Sequence, residues 1–366
     1  MRMFFVAGIG VAVFIEFLLI SKKNKSPSDR ILTLWMFLIL ASLFLSYIFI
    51  TGDVFSYPFL LGTEHPLPLL QGVFLYLYVS LLTDQLPEKR WTLLLHFVPA
   101  AAMYLYLVQY FLLSADQKIL VYRNYGAGYE DFLRVKYYAI ACSGIFYVIW
   151  SALLLRRHKK AIRDQFSDLE KINLQWLQIL TIGMGGIWFL VIFFPQETLI
   201  LTGIVVFVFL IGFFGIRQAV IFTPGPVEET AEELKKKYPK SGLTDEASTK
   251  LHQDLLQLMT KDALYRKSDL SISELSSNLG VHPNYLSQVI NQKEKKNFYD
   301  FVNAFRFEEF KRLIAVQKNQ QYTLLSLAYD CGFSSKSSFN RYFKRATGQT
   351  PSEYFAAVTE NQTSPS

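Results

Sequence analysis

The sequence contains little cysteine, and charged residues are almost missing from its apolar stretches. Two of the 366 residues are cysteines: Cys142 lies in an apolar stretch and Cys331 in the polar carboxyl-terminal part. Cysteines in such different surroundings do not pair, which excludes a disulfide framework. The chain also lacks a His-Glu-x-x-His zinc spacing, a phosphate-binding loop and a nucleophile elbow. We therefore expect a protein that is not an enzyme and that uses no catalytic residue, cofactor or metal.

Seven long apolar segments carry most of the hydrophobic residues, which make up 51% of the chain. A helix needs roughly 20 apolar residues to cross about 30 Å of hydrocarbon, and each segment has 17 to 23. Glu16 is the only Asp, Glu, Lys or Arg within them. They predict a membrane domain over residues 1–222, with spans at about residues 3–20, 31–50, 67–83, 91–113, 137–155, 174–194 and 199–216.

The lysines and arginines between the segments indicate how the chain is oriented. With the amino terminus outside, the inward loops carry twelve Lys and Arg, and the outward loops carry four. Cytoplasmic loops of membrane proteins are enriched in these residues. We expect the bacterial inner (cytoplasmic) membrane as location, lipid as a partner, and the carboxyl-terminal part in the cytoplasm. The inward loops are then residues 21–30, 84–90 and 156–173.

The residues after the seventh segment interrupt any helix that leaves the membrane. Two prolines in Thr223-Pro224-Gly225-Pro226 remove backbone donors and fix φ. Residues 223–243 are therefore predicted to form a flexible linker, and a lever that transmits strain is the alternative. Residues 358–366 are predicted to form a flexible tail.

The carboxyl-terminal part has the pattern of amphipathic helices with clear stops. Ser271 and Glu274 have capping-box spacing and begin one helix, which Gly280 ends. Pro283 suits the first turn of the next helix. A helix, a turn with glycine and a second helix form a helix-turn-helix motif, whose second helix enters the DNA major groove. We predict the first such motif at about residues 272–291.

The same pattern occurs again after a long helix predicted at residues 298–317. Thr323 and Ser334 stand where helix caps are expected, and Gly332 where the turn is expected. The second motif, at about residues 324–346, follows the first at an offset of 52 residues up to the turn. After the turn the offset is 53 residues, in the second helix of each motif, which we call the probe helix. One motif alone is a weak signal, because many helical hairpins imitate it. Two motifs joined by one helix are far more specific.

The second motif and the residues that follow it contain a distinctive series. Its members are Gly332-Phe333, Ser338-Phe339, Arg341-Tyr342-Phe343-Lys344, Gly348, Thr350-Pro351 and Tyr354. This series resembles the signature of AraC/XylS-type DNA-binding domains, and the resemblance covers most of the domain predicted at residues 244–357. It implies two probe helices from one monomer that enter successive major grooves of double-stranded DNA. The sensory barrel of the best-known members is absent, so the resemblance does not extend to sugar binding.

The resemblance also implies which side chains face the DNA. Arg and Lys suit guanine, Asn and Gln suit adenine, and Ser suits either base. The implied base-facing residues are Asn284, Ser287 and Gln288 in the first probe, and Lys336, Ser337, Ser338 and Arg341 in the second. Lys344 and Arg345 are expected at phosphates, which position the protein without reading sequence.

Two features leave alternatives open. Ser337 and Ser338 are also consistent with small solvent-facing residues, and His282 departs from the Ser or Asn expected as the first probe's cap.

Residues 250–357 contain 15 Lys and Arg and 10 Asp and Glu, a net charge of +5. This excess fits phosphate binding but does not establish it.

Within the membrane domain, two titratable residues are predicted at a similar depth. Glu16 lies near the cytosolic end of the first span and His96 near the cytosolic start of the fourth. Paired, they would form a proton-sensitive latch, and the alternative is that both reach the membrane interface. On the outer side, tyrosines and charged residues of the loops suggest a cup for a ligand.

These observations together predict an all-α protein: a seven-helix transmembrane bundle followed by a cytosolic domain with two helix-turn-helix motifs. We interpret it as a membrane-bound, sequence-specific transcription regulator that acts as a one-component sensor for an unknown signal ligand. Homodimerisation and contact with RNA polymerase are further expectations. One alternative is a transporter or membrane enzyme with a regulatory DNA-binding tail, and another is a DNA-binding protein that the membrane merely tethers.

Overall fold

The computed structural model describes residues 2–169, 174–217, 245–316 and 322–355. These residues form helices and contain no β-strand, which confirms the predicted all-α fold. The predicted linker at 223–243 and tail at 358–366 lie outside the described residues. The chain divides into a first unit, Met1–Arg156 with Leu174–Val227, and a second unit, Arg157–Asn173 with Glu228–Ser366.

Helices of the first unit include five that are long and apolar enough to cross a membrane: α1, α2, α7, α8 and α9. The helix α3 is also apolar but has 16 residues. Their bounds, with those of the shorter helices, are α1 Arg2–Ser21, α2 Pro27–Thr51, α3 Leu67–Leu82, α4 Val98–Tyr106, α5 Val108–Phe111, α6 Ala115–Arg123, α7 Glu130–Gln165, α8 Gln175–Phe193 and α9 Glu197–Arg217.

The fourth predicted span, residues 91–113, is divided into three shorter pieces. A 3-10 helix, Arg90–Phe97, precedes α4 and α5. Pro99 stands in the first turn of α4, where its missing N–H is tolerated, whereas inside a longer helix it would break the hydrogen-bond ladder. The seven-span count therefore remains a prediction for this segment and for the short helix α3.

Large aromatic rings and close glycine contacts hold the first unit together. Trp35 on α2 is fully buried, packs against Tyr78 and Phe207, and donates its indole N–H to Gln71 at 2.9 Å. On α7, a Cβ at Gly144 would overlap the Trp188 ring. Small residues at helix contacts allow this close approach in membrane bundles.

The structure does not bring the predicted pair Glu16 and His96 together. His96 lies in the 3-10 helix, where its Nδ1 is 2.7 Å from the Tyr147 hydroxyl and its ring packs on Tyr76 and Trp150. Glu16 is buried on α1, which packs against α2 and α9. No hydrogen bond or ion pair joins the two side chains in the described part of the chain. The His96 side chain is thus already in contact with Tyr76, Tyr147 and Trp150 and does not reach Glu16 to form the predicted latch.

The second unit is built around one long helix. Its helices are α10 Asp245–Thr260, α11 Ile272–Asn278, α12 Pro283–Val289, α13 Phe298–Ile314, α14 Leu324–Asp330 and α15 Lys336–Thr347. Two hydrophobic cores lie along α13: Phe298, Phe301 and Val302 belong to one, and Phe307 and Phe310 belong to the other. Each core supports one helical pair, α11 with α12 or α14 with α15. The long helix is therefore the shared frame of both pairs.

Candidate nucleic-acid interface

The two helical pairs of the second unit turn in the same way. After α11, Val281 donates its N–H to Ser276 O at 3.0 Å, and after α14, Phe333 donates to Ala328 O at 3.1 Å. The two bonds are related by the predicted offset of 52 residues. The backbone φ is positive at both turn glycines, +65° at Gly280 and +96° at Gly332. Both pairs are therefore helix-turn-helix motifs of one design.

The caps of the first helices follow the same offset. Ser271 accepts the N–H of Glu274 at 3.2 Å, and Thr323 accepts that of Ser326 at 3.1 Å. The predicted capping box is half formed, because the Glu274 carboxylate binds Lys267 at 2.6 Å instead. Each first helix is thus fixed by a hydroxyl at its amino-terminal end, as expected for Ser and Thr.

The caps of the probe helices confirm the offset of 53 residues and correct one assignment. Ser335, not Ser334, caps α15, since its hydroxyl accepts the N–H of Ser338 at 3.1 Å. His282 caps α12 in the equivalent place, where its Nδ1 accepts the N–H of Asn284 at 3.2 Å. The imidazole nitrogen therefore replaces the hydroxyl or amide oxygen that usually caps a helix.

The first probe helix, α12, presents its predicted base-facing residues away from the core. Asn284 and Gln288 are exposed and Ser287 is half-buried, whereas Leu286 and Val289 face inward. All three predicted residues therefore lie on the helix side opposite the hydrophobic core.

The second probe helix, α15, presents three of its four predicted base-facing residues. Lys336, Ser337 and Arg341 are exposed. Ser338 is buried at 4% exposure beside the core residue Phe339, so the structure does not present it at the probe surface with the other three. The helical period explains this result, because position 338 shares its side with Tyr342 and faces the core.

The two residues expected at phosphates differ in their surroundings. Lys344 is exposed on the last turn of α15. Arg345 forms an ion pair with Asp300 of α13, and its guanidinium lies 5.1 Å from the centre of the Tyr342 ring. Arg345 thus ties the second probe to the long helix, and a phosphate would have to compete with Asp300 for it.

A basic extension of the first probe was missed by the sequence analysis. A π-helical turn, Ile290–Glu294, continues α12, and Lys295 with φ +55° ends it. Lys293, Lys295 and Lys296 are exposed there. In the sequence these lysines form the run Lys-Glu-Lys-Lys, which lies just after the helix-turn-helix pattern and is not part of it. These lysines are candidates for phosphate contact.

The turn of the second motif touches a 3-10 turn, Leu264–Arg266, that precedes the first motif. A Cβ at Gly332 would lie 2.5 Å from Tyr265 O and 2.7 Å from the backbone of Arg266, both in the first half of the second unit. Nearby, Arg266 binds Glu309 at 2.5 Å, and Arg312 binds the same carboxylate at 2.8 Å. The Arg312 and Arg266 guanidinium groups hold the pKa of Glu309 below its usual value. The relative placement of the motifs therefore depends on this tight contact.

A helical protein with two equivalent helix-turn-helix motifs on one long helix belongs to the helix-turn-helix class of folds. Residues 275–357 match the model of a family described as a helix-turn-helix domain, of the AraC type. This part of the chain therefore carries an AraC-type helix-turn-helix domain, and the resemblance found in the sequence is confirmed.

Relatives of the chain match over the same region. An uncharacterized HTH-type transcriptional regulator of Staphylococcus aureus strain COL is 38% identical over 104 residues, 28% of this chain and 14% of that protein. The uncharacterized HTH-type transcriptional regulator YijO of Escherichia coli K12 is 32% identical over 89 residues, 23% of this chain and 30% of YijO. The chain thus covers about a seventh of the Staphylococcus relative's length. No solved structure matches.

We predict that the two turn glycines respond differently to alanine. Gly280→Ala adds the strain of a positive φ, about 1 kcal/mol, with no atom within 4 Å of the new Cβ. Gly332→Ala adds the same strain and a clash with backbone that cannot move aside, so its cost is expected to be several-fold larger. Hydrogen exchange of the second unit in the full-length protein measures the difference. Equal exchange in the two variants would contradict the contact described at Gly332.

We predict that Arg341 and Lys344 contribute differently to DNA binding. Arg341→Ala is expected to cost about 1–3 kcal/mol of specific binding and to relax the base preference at one position. Lys344→Ala is expected to weaken binding to all sequences alike and to lower the salt slope by about 1. Anisotropy titrations of full-length protein with target and random duplexes, at several salt concentrations, separate these effects. Loss of base preference in Lys344→Ala alone would reverse the assignment.

Proposed function

We propose that the chain is a sequence-specific, DNA-binding transcription regulator that its amino-terminal helices hold in the bacterial inner membrane. This proposal rests on the pair of equivalent motifs, whose probe helices expose side chains that suit base edges. The same chain has helices long and apolar enough to cross a membrane. Double-stranded DNA is its partner in the cytoplasm. A second copy of the chain and RNA polymerase are further proposed partners.

The position of one loop supports the proposed orientation. Residues 156–173 carry six Lys and Arg, which favours the cytoplasmic side of the membrane. Residues from Arg157 onward in this loop belong to the second unit, together with both helix-turn-helix motifs. The charge of the loop and its place in the second unit therefore favour the same compartment for the DNA-binding part.

We further propose that the first unit senses a signal, and a cavity of about 350 Å³ supports this. This size falls in the range of small-molecule sites, which are mostly apolar with a few polar groups. Burial lowers the pKa of His65 to about 3, so the His65 ring stays uncharged near neutral pH. The lining residues are Phe49, His65, Leu107, Tyr110, Val121, Tyr122, Tyr125, Gly126, Tyr129, Phe132, Leu133 and Glu197.

Polar contacts beside the cavity fix its shape. Tyr122 donates its hydroxyl to the half-buried Glu64 carboxylate, and its ring stacks on His65 at an interplanar angle of 3°. Lys136 Nζ lies 3.4 Å from His65 Nδ1. Lys136 is on α7, and Phe132 and Leu133 of the same helix line the cavity. A ligand that distinguishes two positions of α7 would shift the populations of those states.

The proposal predicts where the full-length protein and its tail are found in cells. Immunoprecipitation of the chain is expected to enrich a small set of chromosomal fragments, and Arg341→Ala is expected to lose them. The matched control is Arg134→Ala, an exposed arginine of the first unit, which is expected to keep them. Protease added to spheroplasts is expected to spare residues 245–355. Digestion of that region from outside would overturn the proposed orientation.

The proposal that the first unit senses a ligand predicts that filling the cavity with a larger side chain alters transcription. Leu133→Trp places a large ring in the cavity, and Val135→Trp places the same ring on an exposed position of α7. We expect Leu133→Trp to fix the output of a reporter fused to an enriched promoter, and Val135→Trp to leave it as in the wild type. Wild-type output from both variants would favour a mere tether.

A further inference from the structure

The loop after α7 is built into the second unit rather than lying beside it. Phe166 forms an antiparallel bridge with Ser271, the cap of the first helix-turn-helix motif. Ser167 donates its backbone N–H to Leu270 O at 3.2 Å and its hydroxyl to the same oxygen at 2.6 Å. The loop therefore attaches by its backbone to the start of the first motif.

The same loop contributes to the core of the second motif. Ile162 and Leu169 are buried in one cluster with Phe310, Phe339 and Phe343, and Phe166 packs against that cluster. Burying a side chain of this size stabilises a fold by roughly 1.5–3 kcal/mol. Residues 162–169, which include the last turn of α7 and which we name the docking loop, thus contact both motifs at once.

A buried arginine of the long helix joins these contacts. Arg306 is 1% exposed, and burial lowers its pKa to about 10. Its Nη1 donates to Ser167 O at 3.3 Å and its Nη2 to Ser167 Oγ at 3.1 Å. The Asn303 amide also donates to Ser167 O, at 3.2 Å. Ser167 therefore supplies two of the oxygens that surround the buried charge.

Further acceptors of Arg306 come from the segment before the first motif, beside Asn303 Oδ1 on the long helix itself. Its Nε donates to Tyr265 O at 2.7 Å, and its Nη2 donates to Lys267 O at 2.7 Å. These residues adjoin the backbone that contacts Gly332 in the second motif. The buried guanidinium thus links the docking loop, the long helix and the turn before the first motif that Gly332 contacts.

We infer that the docking loop is a regulatory interaction surface: while it is seated on Arg306, it fixes the two probe helices in the arrangement that reads DNA. Release of the loop would leave a buried cation with fewer acceptors and would uncover an apolar core, both of which are costly. Because the loop continues α7 directly, a shift of that helix reaches both probes through it. This inference rests on the proposed DNA-binding function.

Two neighbouring positions give a matched test in the full-length protein in nanodiscs. Ile162 is buried in the second core, whereas Ala161 is exposed. Ile162→Glu is expected to raise the dissociation constant for a target duplex roughly tenfold or more, because it places a carboxylate in the core. Ala161→Glu adds the same charge and is expected to bind like the wild type. Equal affinities of the two variants would overturn the inference.

A cross-link distinguishes release of the docking loop from general unfolding. Phe166→Cys with Ser271→Cys, in a Cys142→Ser background, places a cysteine pair at the β-bridge, where the spacing suits a disulfide. When Ile162→Glu acts by releasing the loop, oxidation is expected to restore DNA affinity and reduction to abolish it again. No rescue on oxidation, with the disulfide formed, would overturn the inference.

Hydrogen exchange separates this inference from the proposed function. Ile162→Glu is expected to speed exchange around Leu270 and in α13 whether or not the protein binds DNA. If the wild type prefers no duplex over random competitor while exchange rises as expected, the proposed function fails and the docking contact stands. If Ile162→Glu leaves hydrogen exchange unchanged while the wild type binds DNA specifically, the docking contact is overturned and the proposed function stands.

Discussion

The arrangement of the second unit depends on one buried positive charge. Arg306 lies at the centre of the long helix, where backbone and side-chain oxygens from separate segments accept its hydrogen bonds. Removing one such partner from a buried charged group costs roughly 1.5–3 kcal/mol. Ser167, Tyr265 and Lys267 must therefore keep their places together. The geometry of both probe helices follows from that requirement.

This constraint gives α7, one of the five described helices long and apolar enough to cross a membrane, a direct part in the domain that we propose reads DNA. The linker predicted at residues 223–243 would by itself leave the tail free of the membrane helices. The loop after α7 provides a second covalent connection, and its residues belong to the second unit. The same helix contributes Phe132 and Leu133 to the cavity of the first unit. Coupling between the cavity and the DNA-binding part requires an element with two arrangements, whose equilibrium both of these sites can shift.

Local patterns allowed much of the domain to be predicted. Ser271, Gly280 and Thr323 mark helix ends through bonds to near neighbours, which sequence spacing reveals. The prediction was wrong for Ser334 as a cap, which is Ser335, and Ser338 lies on the buried side of its helix, since a shift of one position changes the helix side. In the membrane part, Glu16 and His96 shared a predicted depth, but depth does not decide which helices are neighbours.

The sequence by itself determined the helical class, the apolar segments and the repeated motif, because each follows from periodicity and caps within a few residues. It also placed most of the exposed probe residues, which repeat at the helical period. Only the tertiary structure decided that Ser167 binds Arg306 and that Gly332 touches the backbone at Tyr265. Those contacts join residues far apart in the chain, and a buried arginine looks like a surface arginine in a sequence. The pairing of distant segments is set by packing, which no local pattern records.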